Sequence, residues 1–162
     1  MSLNALQAAV AALQNNQIVA MPTETVYGLA GNAYSEIAVQ KIFALKNRPH
    51  YNPLIVHIKS AGYLQQVAKN IPAVALQLAD AFWPGPLTLI LPRQSGVATA
   101  SAGGQDSIGL RCPSHPVAQA LLKACTALGV QGVSAPSANR FGRVSPTTAA
   151  HVQSELGPDL LV

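Results

Sequence analysis

The sequence predicts an α/β layered domain built on a mixed sheet, and three observations carry that expectation. Helical periodicities alternate with short runs of β-branched and aliphatic residues, the pattern that lays helices on a sheet. The order is irregular, because two helices follow one another and a Gly/Ser/Ala-rich loop covers residues 94–106, so a plain doubly wound repeat does not fit. Apolar residues make up 49% of the 162-residue chain. A domain of that length buries about 70% of its unfolded surface, so the core needs no disulfides.

The elements follow in order. Leu3, Leu6, Val10 and Leu13 recur at helical spacing, and Asn15-Asn16 stop that helix before a short strand from Ile18 to Met21. Ser35 is placed to cap a helix running through Lys46, with Ile37, Ile42 and Leu45 on its inner face. Leu54 to Ile58 reads as a strand. Helices follow near Ala61 to Val67 and from Pro72 to Phe82, the second opening with proline in its first turn. Strands are expected over Leu87 to Leu91, Ile108 to Arg111 and Val130 to Ser134. A helix opens at Ser114-His115-Pro116 and runs to about Leu128, Thr147 or Thr148 caps the last helix, and Leu160 to Val162 begins another strand.

Ten Lys/Arg against six Asp/Glu leave a net charge of +4. That field favours anionic partners such as nucleotides or RNA, but the cations are dispersed and form no basic tail. Cys112 and Cys125 match no disulfide framework, which points to a reducing, cytoplasmic setting. The N-terminus has helical periodicity rather than a signal-peptide pattern, and no apolar run approaches the roughly 18 residues that span a bilayer. Familiar nucleotide and metal motifs are absent: there is no GxxxxGK[ST], GxGxxG or HExxH, and Cys112-x-x-His115 is the nearest approach to metal-ligand spacing. No metal site is expected.

Polar residues gather after strand ends, where open α/β sheets hold ligands. Pro22-Thr23-Glu24-Thr25-Val26-Tyr27-Gly28 follows the first strand, and is either a self-capping turn or a polar site. In Lys46-Asn47-Arg48-Pro49, the proline favours an extended Arg48, and alternate residues of an extended chain point the same way. Lys46 and Arg48 are therefore expected to aim at one anion, the alternative being a cationic helix C-cap. His57 sits in an apolar strand, where a core role is the commoner one. Trp83-Pro84-Gly85-Pro86-Leu87-Thr88 makes a rigid turn that presents Thr88. Ser134-Ala135-Pro136-Ser137-Ala138-Asn139-Arg140, followed by Gly142-Arg143-Val144-Ser145, suits close approach to phosphate and ribose oxygens, or is an ordinary turn.

Together and in this order, PTETVYGL at 22–29, KNRPHYNPLIVHI at 46–58, WPGPLT at 83–88, GLRCPSHP at 109–116 and SAPSAN at 134–139 resemble the YrdC-like family of threonylcarbamoyl-AMP synthases. The resemblance implies a YrdC/RibB-like fold, a twisted mixed open sheet with helices on its faces and a basic concave cavity, within one domain over residues 1–162. It implies a nucleotidyltransferase that condenses L-threonine, bicarbonate and ATP into threonylcarbamoyl-adenylate and pyrophosphate, for tRNA threonylcarbamoyladenosine modification. ATP is then a substrate, accompanied by Mg²⁺ held mainly by the nucleotide, and tRNA threonylcarbamoyl-transfer proteins are downstream partners.

The same resemblance assigns residues. Lys46, Arg48, Ser137 and Asn139 carry the family's signature pairs and are the implied catalytic group. With Asn52, Thr88, Ser134 and Ser145 they are the implied nucleotide contacts. Thr25, Tyr27, His57 and Arg111 are the implied threonine contacts, Arg111 being suited to the carboxylate. No general base stands out, with His57 and Glu24 the titratable groups at hand. Relatives continue past the point equivalent to Val162 with a Gly-rich segment that touches nucleotide. Two rivals remain open: a module that binds double-stranded RNA or tRNA without catalysis, against which the 5% aromatic content argues, and a carbamoyl-transfer domain of hydrogenase-maturation type.

Overall fold

The computed structural model describes residues 2–162. Helix α1 (Leu3–Gln14) opens on Ser2, whose Oγ accepts from the Ala5 N–H, and buries Ala9, Val10 and Leu13. Strands β1 (Val19–Met21) and β2 (Gly28–Asn32) pair antiparallel, with the 22–27 loop between them. Helix α2 (Glu36–Lys46) is capped by the Ser35 hydroxyl and ends on Asn47 in the left-handed conformation. Then come β3 (Val56–His57), a 3-10 turn over Ala61–Tyr63, α3 (Leu64–Val67) and α4 (Ala73–Phe82). Strands β4 (Thr88–Pro92) and β5 (Ser107–Arg111), helix α5 (Pro116–Ala127), β6 (Val133–Ser134) and α6 (Ala149–Leu156) complete the order.

One six-stranded sheet runs β1-β2-β6-β3-β5-β4. β3 and β5 are parallel and the other neighbouring pairs antiparallel, so the sheet is mixed as expected. Strand alternation sorts side chains between two faces. On one face, Val56, Leu89, Leu91, Ile108 and Leu110 pack with Leu64, Val67, Ala75 and Ala79, while Ala20 and Leu29 pack with Val39, Ile42, Phe43, Val152 and Leu156. On the other, Val19, Met21, Ala30 and Val133 meet Val10, Leu13, Leu121 and Leu122 of α1 and α5. Each fully buried Leu, Met or Phe contributes about 1.5–3 kcal/mol.

Helices α1 and α5 thus cover only the β1-β2-β6 half of their face. Beyond it, β3, β5 and β4 turn His57, Arg111, Gly109, Thr88 and Ile90 the same way, and Ile90 is 75% exposed. That half of the face is left without a covering helix, and it carries the polar side chains of β3, β4 and β5.

Several expectations are corrected. Gly28–Asn32 is a strand, although Gly, Ala and Asn are poor strand formers; it is held by ladders on both sides, and a Cβ on Gly28 would stand 3.1 Å from the Ala135 Cβ. The strands expected over 54–58 and 130–134 shorten to Val56–His57 and Val133–Ser134. Leu160–Val162 forms no strand of its own, yet the Leu161 carbonyl accepts from the Ala20 N–H at 2.7 Å beside β1. Ile37 is 60% exposed rather than inward. Pro72 is the N-cap of α4 and not part of its first turn, and α5 begins only at Pro116, with His115 as its N-cap and His115 Nδ1 accepting from the Val117 N–H. Thr148 caps α6, one of the two threonines expected there.

Candidate active site

The segment after β6 builds one side of the site. The β2–β6 ladder continues past Ser134: Leu29 N–H bonds to Pro136 O, Ala138 N–H to Tyr27 O, and Gly28 bridges Ser137. Residues 134–139 are thereby stitched to the loop before β2, and Tyr27 N–H bonds to Pro146 O to bring in the Ser145 region. Helix α2 aims its C-terminus at the same loop. Lys46 is 1% exposed, and its Nζ donates to the carbonyls of Ser137 and Asn139, while Phe141 N–H returns a bond to Lys46 O.

This changes the reading of Lys46 and Arg48. Lys46 is the last helical residue and Asn47 turns left-handed, so the pair is not extended, and the ammonium reaches across to a distant loop instead of capping its own helix. Arg48 donates through Nε and Nη2 to the carbonyls of Asn52 and Pro53, and its guanidinium lies 5.7 Å from the centre of the Phe141 ring. The two cations are nevertheless close enough to repel. Burial, followed by the Arg48 charge, pushes the Lys46 ammonium down to about 8.

Asn139 is 4% exposed; its amide nitrogen donates to Arg140 O at 2.7 Å and Arg143 O at 2.9 Å, which leaves Oδ1 buried with no partner. Asn52 and Ser145 are half-buried; the Asn52 carbonyl accepts from Arg48 Nε, and Ser145 precedes the Pro146 that binds Tyr27 N–H. Ser134 does not join it. Its alternation turns the side chain to the opposite, closed face, where its hydroxyl meets that of Ser101 at 2.6 Å.

The second cluster lies on the open half-face. His57, Arg111 and Thr88 are register neighbours across β3, β5 and β4. Arg111 Nη2 donates to Glu24 Oε1 at 2.9 Å and Thr25 Oγ1 at 3.0 Å. Thr23 donates its own proton to Val26 O at 2.6 Å, so in the 3.0 Å contact between the threonines Thr25 is the donor. Arg111 Nε and His57 Nδ1 are buried without partners. Burial, then the Arg111 charge, pushes His57 down to about 4, so the ring is neutral near pH 7.

Glu24 is not placed as a base. Burial pulls its carboxyl upward, but hydrogen bonds from Arg111 and backbone amides, with the Arg111 charge, hold it below the ordinary value. Thr88 opens β4 after a turn in which Trp83 Nε1 donates to Leu87 O at 2.7 Å. A Cβ on Gly85 would lie 2.3 Å from Phe82 O, so that turn requires glycine.

The structure therefore brings Thr25, His57, Thr88 and Arg111 together, and separately Lys46, Arg48, Asn52, Ser137 and Asn139, while the Tyr27 backbone is tied to Ala138 and Pro146. A cavity of about 330 Å³ against α1 and α5 is apolar and shares only Tyr27 with these residues. No group of three or more His, Cys, Asp or Glu able to hold a metal occurs among the described residues. Sequence reasoning missed Phe141 as the ring facing Arg48, although an aromatic two residues past Asn139 was a visible signal. The Ser101 hydroxyl beside Ser134 gave none.

Fold and clusters define an α/β domain whose half-open sheet face offers cations, hydroxyls and unpaired polar atoms to an anionic, hydrogen-bonding small molecule. The comparisons give the family: the model Sua5_yciO_yrdC, described as telomere recombination, matches residues 11–162, and the chain belongs to that family. The chain is 47% identical over 143 residues to the threonylcarbamoyl-AMP synthase of Pyrococcus abyssi, covering 88% of this chain and 41% of that relative. It is 44% identical over 149 residues to the enzyme of the same name from Bacillus subtilis, covering 91% and 42%. The crystal structure of P. abyssi Sua5 complexed with L-threonine superposes with a TM-score of 0.88 at 45% identity, over 93% of this chain and 42% of that one. The chain thus spans about two fifths of the length of these relatives, and the YrdC-like fold is the one expected.

Proposed function

We propose that this chain condenses L-threonine, bicarbonate and ATP into threonylcarbamoyl-adenylate with release of pyrophosphate, a nucleotidyl transfer that serves tRNA modification. The observation that carries this reading is a set of three buried, unpartnered polar atoms, His57 Nδ1, Arg111 Nε and Asn139 Oδ1, within the motifs that mark the family. Buried polar atoms are nearly always hydrogen-bonded, so three orphans in two adjoining clusters call for ligands that complete them. The names of the relatives, and the L-threonine in the Pyrococcus structure, support the same assignment.

The chemistry divides between the clusters. The threonine amine and bicarbonate form a carbamate with loss of water. A carbamate oxygen then attacks the α-phosphorus of ATP, and the bond to the bridging oxygen breaks as pyrophosphate leaves. Arg111 offers its Nε–H to the threonine carboxylate, and the neutral His57 offers Nδ1 as a second polar atom. Lys46 keeps one N–H beyond its two carbonyl bonds, and Arg48 keeps Nη1, so each has a donor for phosphate oxygens. Both are preorganised by the backbone they hold, the arrangement that stabilises developing charge without reorganisation. Asn139 Oδ1 is an acceptor suited to a ribose hydroxyl or the adenine amine. ATP enters as its Mg²⁺ complex, the ion carried by the phosphates.

On this reading residues 1–162 act as one catalytic domain in the cytoplasm, and the product passes to tRNA threonylcarbamoyl-transfer proteins. The test is pyrophosphate release from ATP, measured with threonine and bicarbonate supplied together and singly. Release should require both. ATP consumption indifferent to threonine overturns the proposal.

A further inference from the structure

Glu24 has no assigned part in the chemistry above, yet it is the most connected acid in the site. Its side chain is 20% exposed, and its two oxygens bind elements far apart in sequence: Oε1 takes Arg111 Nη2 at the end of β5, and Oε2 takes the Ser114 N–H at 3.2 Å ahead of α5. A loop residue thereby ties the open end of the sheet to the entry of a helix.

The hydrogen count on Arg111 shows what this does. Nη2 has two protons, one engaged by Glu24 and the other by Thr25, whose own proton goes to Thr23. Nη2 is therefore saturated, and the guanidinium plane is fixed at two points. Nε, buried and unpartnered, remains as a donor of fixed direction, and His57 Nδ1 is likewise buried and unpartnered. A long arginine side chain free to rotate would have to be ordered at each binding event, which costs affinity.

We propose that Glu24 is a positioning residue for recognition of the amino-acid substrate: by pinning Arg111 Nη2, it holds the guanidinium plane so that the Nε–H is aimed at the substrate carboxylate. Glu24 itself touches no reacting atom. The inference rests on the threonine reading above and adds to it the residue that sets carboxylate affinity. The opposite role is chemically possible, since a carboxylate on Arg111 could compete with the substrate's own, and the two roles predict opposite signs.

The experiment compares the wild-type chain with Glu24→Gln and Glu24→Asp, measuring L-threonine binding by calorimetry and the KM for threonine and for ATP by pyrophosphate release. Glu24→Gln keeps the shape but replaces a charge-assisted bond with a neutral one. Threonine should bind about tenfold or more weakly, with the ATP KM unchanged. Glu24→Asp, which keeps the charge but cannot span both partners, should recover part of the loss. The unchanged ATP KM shows that the fold and the nucleotide side are intact, so a general loss of structure is distinguished. Equal threonine affinity in Glu24→Gln and wild type overturns the positioning role alone, and tighter binding makes Glu24 a competitor. Failure of the wild type to bind threonine overturns the underlying assignment together with the inference.

Discussion

His57 should make the fold acid-sensitive, and the size of the effect follows from its burial. The ring is 2% exposed, and burial together with the Arg111 charge lowers it from 6.5 to about 4. Between those values the unfolded chain binds a proton that the folded chain refuses. Stability is therefore fully present above about pH 6.5 and declines as pH falls toward 4. The gap between 6.5 and about 4, at about 1.36 kcal/mol per pH unit, limits the loss to about 3 kcal/mol, of which about 2.5 kcal/mol falls between pH 7.5 and 4.5. With an ordinary urea slope of about 2 kcal/mol/M, the unfolding midpoint should move down by about 1 M over that range. Glu24, lowered by its bonds to Arg111, acts in the same direction at the acid end, so the His57 share must be isolated. His57→Leu does this, because it removes the titration and leaves Glu24 in place. Urea unfolding of both proteins across that range should give a clearly flatter pH dependence for the variant. Parallel curves would refute the claim that His57 is buried neutral beside Arg111.

Lys46, lowered to about 8, should lose its charge as pH rises, so kcat/KM for ATP should fall about tenfold per unit above pH 8; Lys46→Arg should move the fall at least a unit higher, and a flat wild-type profile to pH 9.5 contradicts a phosphate role. Ser134→Ala should lower stability by about 1 kcal/mol through loss of its bond to Ser101, with the ATP KM unchanged; a raised KM at unchanged melting temperature would make its hydroxyl a nucleotide contact after all. Gly85→Ala should cost about 1–3 kcal/mol and several degrees of melting temperature by thrusting a methyl at Phe82 O, and an unshifted melting curve would disprove that crowding.

What could be read from the sequence was local. Ser35 and Thr148 announce their helices because a cap bonds to the backbone three residues on, within reach of any sequence window. The Gly28–Asn32 strand was hidden because its cause lies elsewhere, in ladders to 19–21 and 133–134 that override the propensities of Gly, Ala and Asn. The site shows the same division. The residue types of PTETVYGL and SAPSAN were visible as unusual polar clusters, but their stitching together through Tyr27, Pro136 and Ala138 joins segments about 110 residues apart. Proline restriction does not align Lys46 with Arg48, because Asn47 between them is left-handed, a conformation the pattern does not announce. The bond from Glu24 to Arg111, 87 residues away, had no local sign at all.

The central claim is that bicarbonate carbon ends between threonine nitrogen and the adenylate phosphate. Rapid-quench mass spectrometry of a reaction with [13C]bicarbonate, ATP and L-threonine measures this directly. The account predicts an adenylate product carrying both threonine and one 13C, formed in step with pyrophosphate. A threonine adenylate without the label, or AMP formed without any threonine adduct, would contradict it.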